Sequence, residues 1–368
     1  MYKSISLFSG AFGLDLGLEE AGIETVLAVD YEKDCVETLK QNIVNAVQGD
    51  IGQIVKDDPS CKYFLDKAGI KKNELFLISG GPPCQSFSTA GNRGLDSDER
   101  GSLIYDFAYI VSKLQPRFFI MENVRGLVSA ISKENKKEEK VIDILMKKFR
   151  KAGYKVTCEL IDAVEFGVPQ HRDRIIFIGS RDNEDIFIPK PSHFKIHQNP
   201  ELRWKTLGDA IRDLKEKDQI FSKYSAERKK IMKQIPEGGN WRDLPKRVAK
   251  KAMGAAFDAQ GGRTSYYRRL SMDMPCPTLT TAPGQRATNL GHPLKDRPLS
   301  IREYARVQQF PDDWVFSGST ASIYKQLGNA VPVGVGKALG EMFVSVAEQT
   351  HEITSKKRPY QKLGLDLA

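Results

Sequence analysis

Cys84 follows two prolines and opens a polar, glycine-bounded stretch in GGPPCQSFSTAG (residues 80–91). A thiol held that stiffly can act as a nucleophile, because the thiolate is the reactive form and its fraction depends on local charge and access. It would need an electrophile, a partner able to carry a proton, and positive charge to favour the thiolate over an ordinary pKa of roughly 8.5. MENV (121–124) offers Glu122 as that partner. PQHRDRIIFIG (169–179) offers Gln170, Arg172 and Arg174, the two arginines being on one face of a strand. A further group lies in LFSGAFG (7–13), where glycines would let the backbone approach a ligand. Asp30, ending the next apolar run, could then take two ribose hydroxyls. Gly10, Gly13 and Gly17 lack the G-x-G-x-x-G spacing that suits a pyrophosphate, so an adenosyl cofactor without phosphates fits better. Taken singly, each feature has a plainer reading: an idle loop cysteine, a surface acid, a solvated strand face, an ordinary turn.

These residues fall at the ends of elements that the pattern predicts. SISLF (4–8), ETVLAVD (24–30), NAVQGD (45–50), LFLISGG (75–81) and RFFIMENV (117–124) read as strands. LDLGLEEAG, closed by Gly22, YEKDCVETLKQN (31–42), SLIYDFAYIVSKL (102–114) and a charged stretch at about 136–152 read as helices, followed by strands KVTCELID and RIIFIG. Alternation of this kind implies an α/β fold with a doubly wound, mostly parallel sheet, whose ligands sit at the carboxyl ends of the strands. Gly10, Asp30, Asp50, Cys84 and Glu122 all fall there. From about 189 to 297 the alternation gives way to PEGGNW, AQGGRTSYYRR and TAPGQRATNLGHP, a second, smaller domain rich in loops. SIREYARVQQF (300–310) and VPVGVGKALGEMFVSVAEQ (331–349) are helical, the latter suited to packing on the first sheet. The expected division is a catalytic domain at 1–188 with 325–352, a loop-rich domain at 189–297, a hinge at 298–324 and a mobile tail at 353–368.

Charge divides the chain the same way. Residues 190–299 hold 23 Lys/Arg against 11 Asp/Glu, whereas the remainder holds 33 against 36, so the whole excess of +9 arises in that third. A segment so basic suits a polyanion such as nucleic acid, or is merely a solvated lysine-rich surface. The five cysteines are odd in number, widely spaced and without CxxC pairs, which argues against a disulfide framework and a zinc site. No apolar run approaches bilayer length and no signal peptide is readable, so a cytoplasmic protein without a membrane partner is expected.

The ordered set LFSGAFG, VD (29–30), GDI (49–51), GGPPCQSFSTAG, RGSLIYDF, MENV, GVPQHRDRIIFIG, RPLSIREYARVQQFPDDW and YKQLGNAVP resembles the DNA (cytosine-5)-methyltransferase family. The likeness covers about 1–180 and 297–349; the basic interval corresponds to that family's target-recognition domain. It implies a Rossmann-like S-adenosylmethionine-dependent fold, S-adenosylmethionine as cofactor with S-adenosylhomocysteine as product, and no metal. By position, Phe8, Gly10, Ala11 and Gly13 match the cofactor turn, Asp30 and Tyr31 the ribose end, and Asp50 and Ile51 the adenine contacts. Pro83, Leu103, Asn329 and Ala330 match further cofactor contacts. Cys84 matches the nucleophile, Glu122 the carboxyl facing cytosine N3, and Arg172 and Arg174 the basic pair beside it. Phe12 departs from the family, standing where a glycine is usual.

Cytosine C5 is too poor a nucleophile to take a methyl group directly, so the resemblance implies Cys84 addition at C6 and a flipped-out base. Gln85 and Ser88, in a stretch expected to close as a lid, and Arg263, Arg268, Arg269 and Arg286 are the expected DNA contacts. Duplex DNA is the expected partner of a bacterial, monomeric modification enzyme, with a cognate restriction endonuclease acting separately. An RNA cytosine C5 methyltransferase with the same core is the alternative. A silent DNA-binding module would need a loss at Cys84, Glu122 or the arginines, which is not seen. A dinucleotide-dependent oxidoreductase is disfavoured by the glycine spacing.

Overall fold

The computed structural model describes residues 1–83, 99–132, 139–215, 217, 219–258 and 263–348. Cys84, Gln85, Ser88, the expected lid up to residue 98 and the expected tail lie outside the described residues; residues 99–101, at the end of that lid, are helical. The strands are β1 (Tyr2–Leu7), β2 (Ile23–Asp30), β3 (Ala46–Gln48), β4 (Leu75–Gly80), β5 (Phe118–Val124), β6 (Ile131–Ser132), β7 (Glu139–Lys140), β8 (Lys155–Asp162) and β9 (Asp173–Ser180). All but the small β6–β7 hairpin form one sheet, in the order β3-β2-β1-β4-β5-β9-β8.

Pairing is parallel from β3 through β5 and antiparallel where β9 meets β5 and β8. Residues 163–172, with one short turn at Ala163–Phe166, join β8 to β9. A parallel return needs a crossover of about a dozen residues or more, usually helical, so β9 comes back antiparallel. β4 is buried along its whole length, as a central strand covered on both faces must be.

The helices are α1 (Gly13–Glu20), α2 (Lys33–Gln41), α3 (Ile51–Asp57), α4 (Lys62–Ala68), α5 (Glu99–Leu114), α6 (Val141–Lys151), α7 (Leu207–Ile211), α8 (Ala226–Met232), α9 (Lys246–Met253), α10 (Ile301–Val307), α11 (Thr320–Asn329) and α12 (Val333–Ala347). α4, α5 and α6 cover one face of the sheet, and α1 with α12 covers the other. α1 and α12 cross at glycines. A Cβ on Gly17 would overlap the Val333 carbonyl, and one on Gly336 the Leu14 carbonyl.

Within 298–324, Leu299, Tyr304, Val307, Phe310, Trp314 and Ile323 are buried in a cluster that also takes Ala11, Phe12 and Leu39 from the N-terminal part and Leu207, Leu270 and Leu290 from the basic segment. One expectation changes. Thr320–Ala347 is long and apolar enough to cross a membrane, contrary to the expectation of no such run. It is α11 and α12 separated at residues 330–332, with Ile323, Leu327, Leu339 and Phe343 buried in the protein core.

Candidate active site

The antiparallel pairing of β5 with β9 sets Val124 opposite Arg174 and Glu122 opposite Ile176. Arg174 Nε lies 2.6 Å from Glu122 Oε1, with both side chains nearly buried. The two atoms are not aligned for a hydrogen bond and neither has another partner, so the contact is an ion pair with directional capacity left over. Gly81 faces the other carboxylate oxygen: a Cβ there would stand 3.1 Å from Glu122 Oε2. Asn123 Nδ2 donates to the Pro82 carbonyl at 3.0 Å. The chain leading to Cys84 is therefore pinned against Glu122. Asn123 had no role in the sequence reading, although it lies inside MENV.

Arg172 precedes β9 and is buried, and its guanidinium donates to the carbonyls of Gly328 (2.9 Å), Asn329 (3.1 Å) and Leu279 (3.4 Å). Burial, with Arg174 nearby, pushes it well below the ordinary arginine range. It ties the end of α11 and the second domain to the sheet. Gln170, also buried, accepts from Leu279 N–H at 2.9 Å and donates to Gln308 at 3.1 Å. The structure thus brings Glu122, Arg172 and Arg174 together, with different surroundings for the two arginines.

Cys35, Cys61, Cys158 and Cys276 are buried free thiols. Burial pushes Cys61 up to about 11 and Cys276 to about 12, and raises Cys35 and Cys158 as well. A thiol so raised and enclosed is a poor nucleophile at neutral pH.

Around the glycine turn, Phe8 and Gly10 both have positive φ (57° and 54°), and a Cβ on Gly10 would meet nothing within 4 Å. That open side is where a ligand can approach. Asp30 is buried, which raises its carboxyl, and it accepts from the N–H groups of Gly10 and Glu32, each at 2.8 Å. Each of its oxygens keeps a lone pair for a hydroxyl. Tyr31 beside it is 67% exposed, an open aromatic face. Asp50 caps α3 through Gln53 N–H at 3.1 Å, and Ile51 is the buried first residue of that helix. A Cβ on Gly52 would touch Asp50, Leu103 and Asp106 together, so these three converge. Asp106 was missed, and its spacing three residues from Leu103 on α5 was the available signal.

Asn329 is exposed at the end of α11, Ala330 is buried, and Pro83 is the half-buried last described residue before Cys84. Ala11 is wholly buried and can offer a ligand only its backbone. Gly13 serves packing, because a Cβ there would strike the Val331 carbonyl. Three acids, an aromatic face and no cation among these residues fit an adenosyl group better than a phosphate.

On the basic side, Arg286 is exposed and Arg263 half-buried. Arg269 departs from expectation. Its guanidinium is buried and bonded to the carbonyls of Ile235, His292 and Lys295 and to Asp296, so it braces the second domain and has no donor directed at DNA. Arg268 has a buried Nε without a partner, and burial lowers it, with Cys276 and Tyr304 as neighbours. It points inward too.

The family model described as C-5 cytosine-specific DNA methylase matches residues 2–345. The chain is 40% identical over 350 residues to the Type II methyltransferase M.Sau96I of Staphylococcus aureus, covering 95% of this chain and 77% of that protein. It is 38% identical to the Type II methyltransferase M.PspPI of Psychrobacter sp. (strain TA137), covering 93% and 79%. Among solved structures, a candidate DNA modification methyltransferase of an E. coli prophage aligns with a TM-score of 0.64 at 23% identity, covering 95% of this chain and 100% of that one. A Spodoptera frugiperda DNMT2 mutant aligns with a TM-score of 0.57 at 19% identity, covering 94% and 100%.

Proposed function

The chain belongs to the C-5 cytosine-specific DNA methylase family, and from that premise we propose that it methylates C5 of a flipped-out cytosine within a specific duplex DNA sequence, as the modification enzyme of a restriction-modification system. The observation that carries the reading is the Glu122–Arg174 pair facing the Gly81–Pro82 segment that delivers Cys84.

In the proposed mechanism Cys84 passes its thiol proton to solvent water and the resulting thiolate sulfur bonds to C6 of cytosine. The ring's electrons shift toward N3, where the Glu122 carboxyl supplies a proton or a hydrogen bond. Arg174, in contact with Glu122, stabilises the anionic character that develops there. Arg172 holds Asn329 and Leu279 in place rather than touching the base. S-adenosylmethionine would be held by Gly10, Asp30, Tyr31, Asp50, Leu103 and Asn329 and would supply an electrophilic methyl group. Addition of Cys84 at C6 makes C5 the nucleophile that such a methyl group requires. Water then removes the C5 proton, the C5–C6 double bond re-forms and Cys84 leaves as thiolate. Extruding the base from its stack costs a few kcal/mol, which phosphate contacts by the basic domain offset.

A duplex carrying 5-fluorocytosine at the target should trap a covalent adduct with the wild-type protein, since fluorine cannot leave as the proton does. Cys84→Ser should trap none. An adduct that persisted in that variant would identify another nucleophile. Methyl transfer confined to structured RNA would overturn the choice of DNA.

A further inference from the structure

Within the second domain, α8, Ile235, Leu244, α9 and Tyr267 form a small apolar core of their own. Its outer face is basic. Along α9, Ala249, Ala252 and Met253 are buried, whereas Lys246, Arg247, Lys250 and Lys251 are exposed. At the helical period the four cations share one arc and the apolar residues the opposite one. Lys229, Lys230 and Lys233 are exposed at α8, and exposed Arg242 stacks on Trp241 with 5.6 Å to the ring centroid.

Nearby acids do not neutralise this face. Asp243 accepts from Asn240 N–H at 2.8 Å and Glu237 from Met272 N–H at 2.6 Å, so both serve the backbone. Lys246, Arg247, Lys250 and Lys251 make no ion pair among the described residues. Like charges one turn apart on a helix repel, and an external polyanion relieves that repulsion.

The helix is also fixed relative to the surface arginines. Tyr267 Oη and Arg286 Nη1 each donate to the Ala252 carbonyl at 3.2 Å, and Trp241 Nε1 donates to the Arg263 carbonyl at 3.1 Å. α9, Arg263 and Arg286 therefore move as one body.

We infer that the face formed by Lys246, Arg247, Lys250 and Lys251 grips phosphates of duplex DNA flanking the target site. The inference rests on the DNA-methylating reading above. Such contacts position the protein and carry no sequence information, so the face adds affinity without selecting bases.

The test is the salt dependence of binding to a duplex with long flanks, for wild type and for the combined Lys246→Ala, Arg247→Ala, Lys250→Ala and Lys251→Ala variant. Each lost phosphate contact should reduce the slope of log affinity against log salt by about 0.9, giving a total drop of about 2–4. On a duplex trimmed to the site alone the two proteins should have equal slopes, and the sequence methylated in a random library should not change. Lys246→Arg with Lys250→Arg and Lys251→Arg should keep the wild-type slope, separating charge from helix integrity. An unchanged slope in the alanine variant, or an equal drop on the trimmed duplex, would overturn the inference. A wild type with the expected slope that methylates no duplex would instead overturn the functional reading and leave the phosphate-gripping face standing.

Discussion

Phe12 sits in the left-handed region (φ 79°), completely buried, with its ring stacked on Trp314 at 6.0 Å between centroids. The conformation that a glycine adopts freely is kept here by an aromatic whose packing outweighs a backbone cost of about 1–2 kcal/mol. Phe12→Gly should relieve that cost yet lose about 3–5 kcal/mol of packing, for a net destabilisation of about 1–4 kcal/mol in urea titration. Asp15 makes a second residue-scale case. It is buried, accepts from Ser6 and Ser79 hydroxyls at 2.7 Å each, and is raised by burial from 3.8 to about 6. Its folded value exceeds its unfolded one, so the stability linked to its proton is complete below the unfolded value and disappears as pH rises through the folded value. Asp15→Asn should therefore gain on the wild type by about 2 kcal/mol between pH 4 and pH 7, measured by chemical denaturation at each pH. Neither environment was legible in the sequence. LDLGL looks like any amphipathic helix with a surface acid, because the hydroxyls that enclose Asp15 come from two different strands.

At the scale of elements, continuous apolar runs made the central strands readable, and Asp30 ends one of them where it accepts from Gly10 N–H, while Glu122 lies near the end of another. The direction of β9 was also open to inference, since its link to β8 is too short for a crossover helix. α11 was missed because YKQLGN was taken as a motif and not as a helix with a buried side. Of the two glycines expected at the cofactor, Gly10 has open space, whereas Gly13, like Gly17 further along α1, meets the backbone of the chain entering α12. Gly336→Ala should push Leu14 and α12 apart, at a cost of about 1–3 kcal/mol. It should also weaken S-adenosylmethionine binding, because Asn329 and Ala330 lead directly into that helix. Thermal melting and calorimetric titration would record the two effects.

For the whole molecule, the charge asymmetry marked a basic segment at 190–299, but not which of its arginines face outward. Arg268 and Arg269 are adjacent to exposed-looking tyrosines in SYYRR, and only the tertiary structure turns both inward. Nor did sequence reveal that residues of the N-terminal part and of the basic segment share one apolar cluster, closed by α10 and α11. Such a shared core should make unfolding one cooperative event, so calorimetry should record a single transition rather than one for each domain.

The crossing of α1 and α12 also has a consequence in time. The ribosome adds about 5–20 residues per second, so the glycine-lined side of α1 waits on the order of half a minute for its covering helix. Until then the backbone of Leu14 and Gly17 lacks its partner and the turn before it lacks Val331. A nascent chain should consequently acquire affinity for its cofactor only late in synthesis, after the basic domain has already been made.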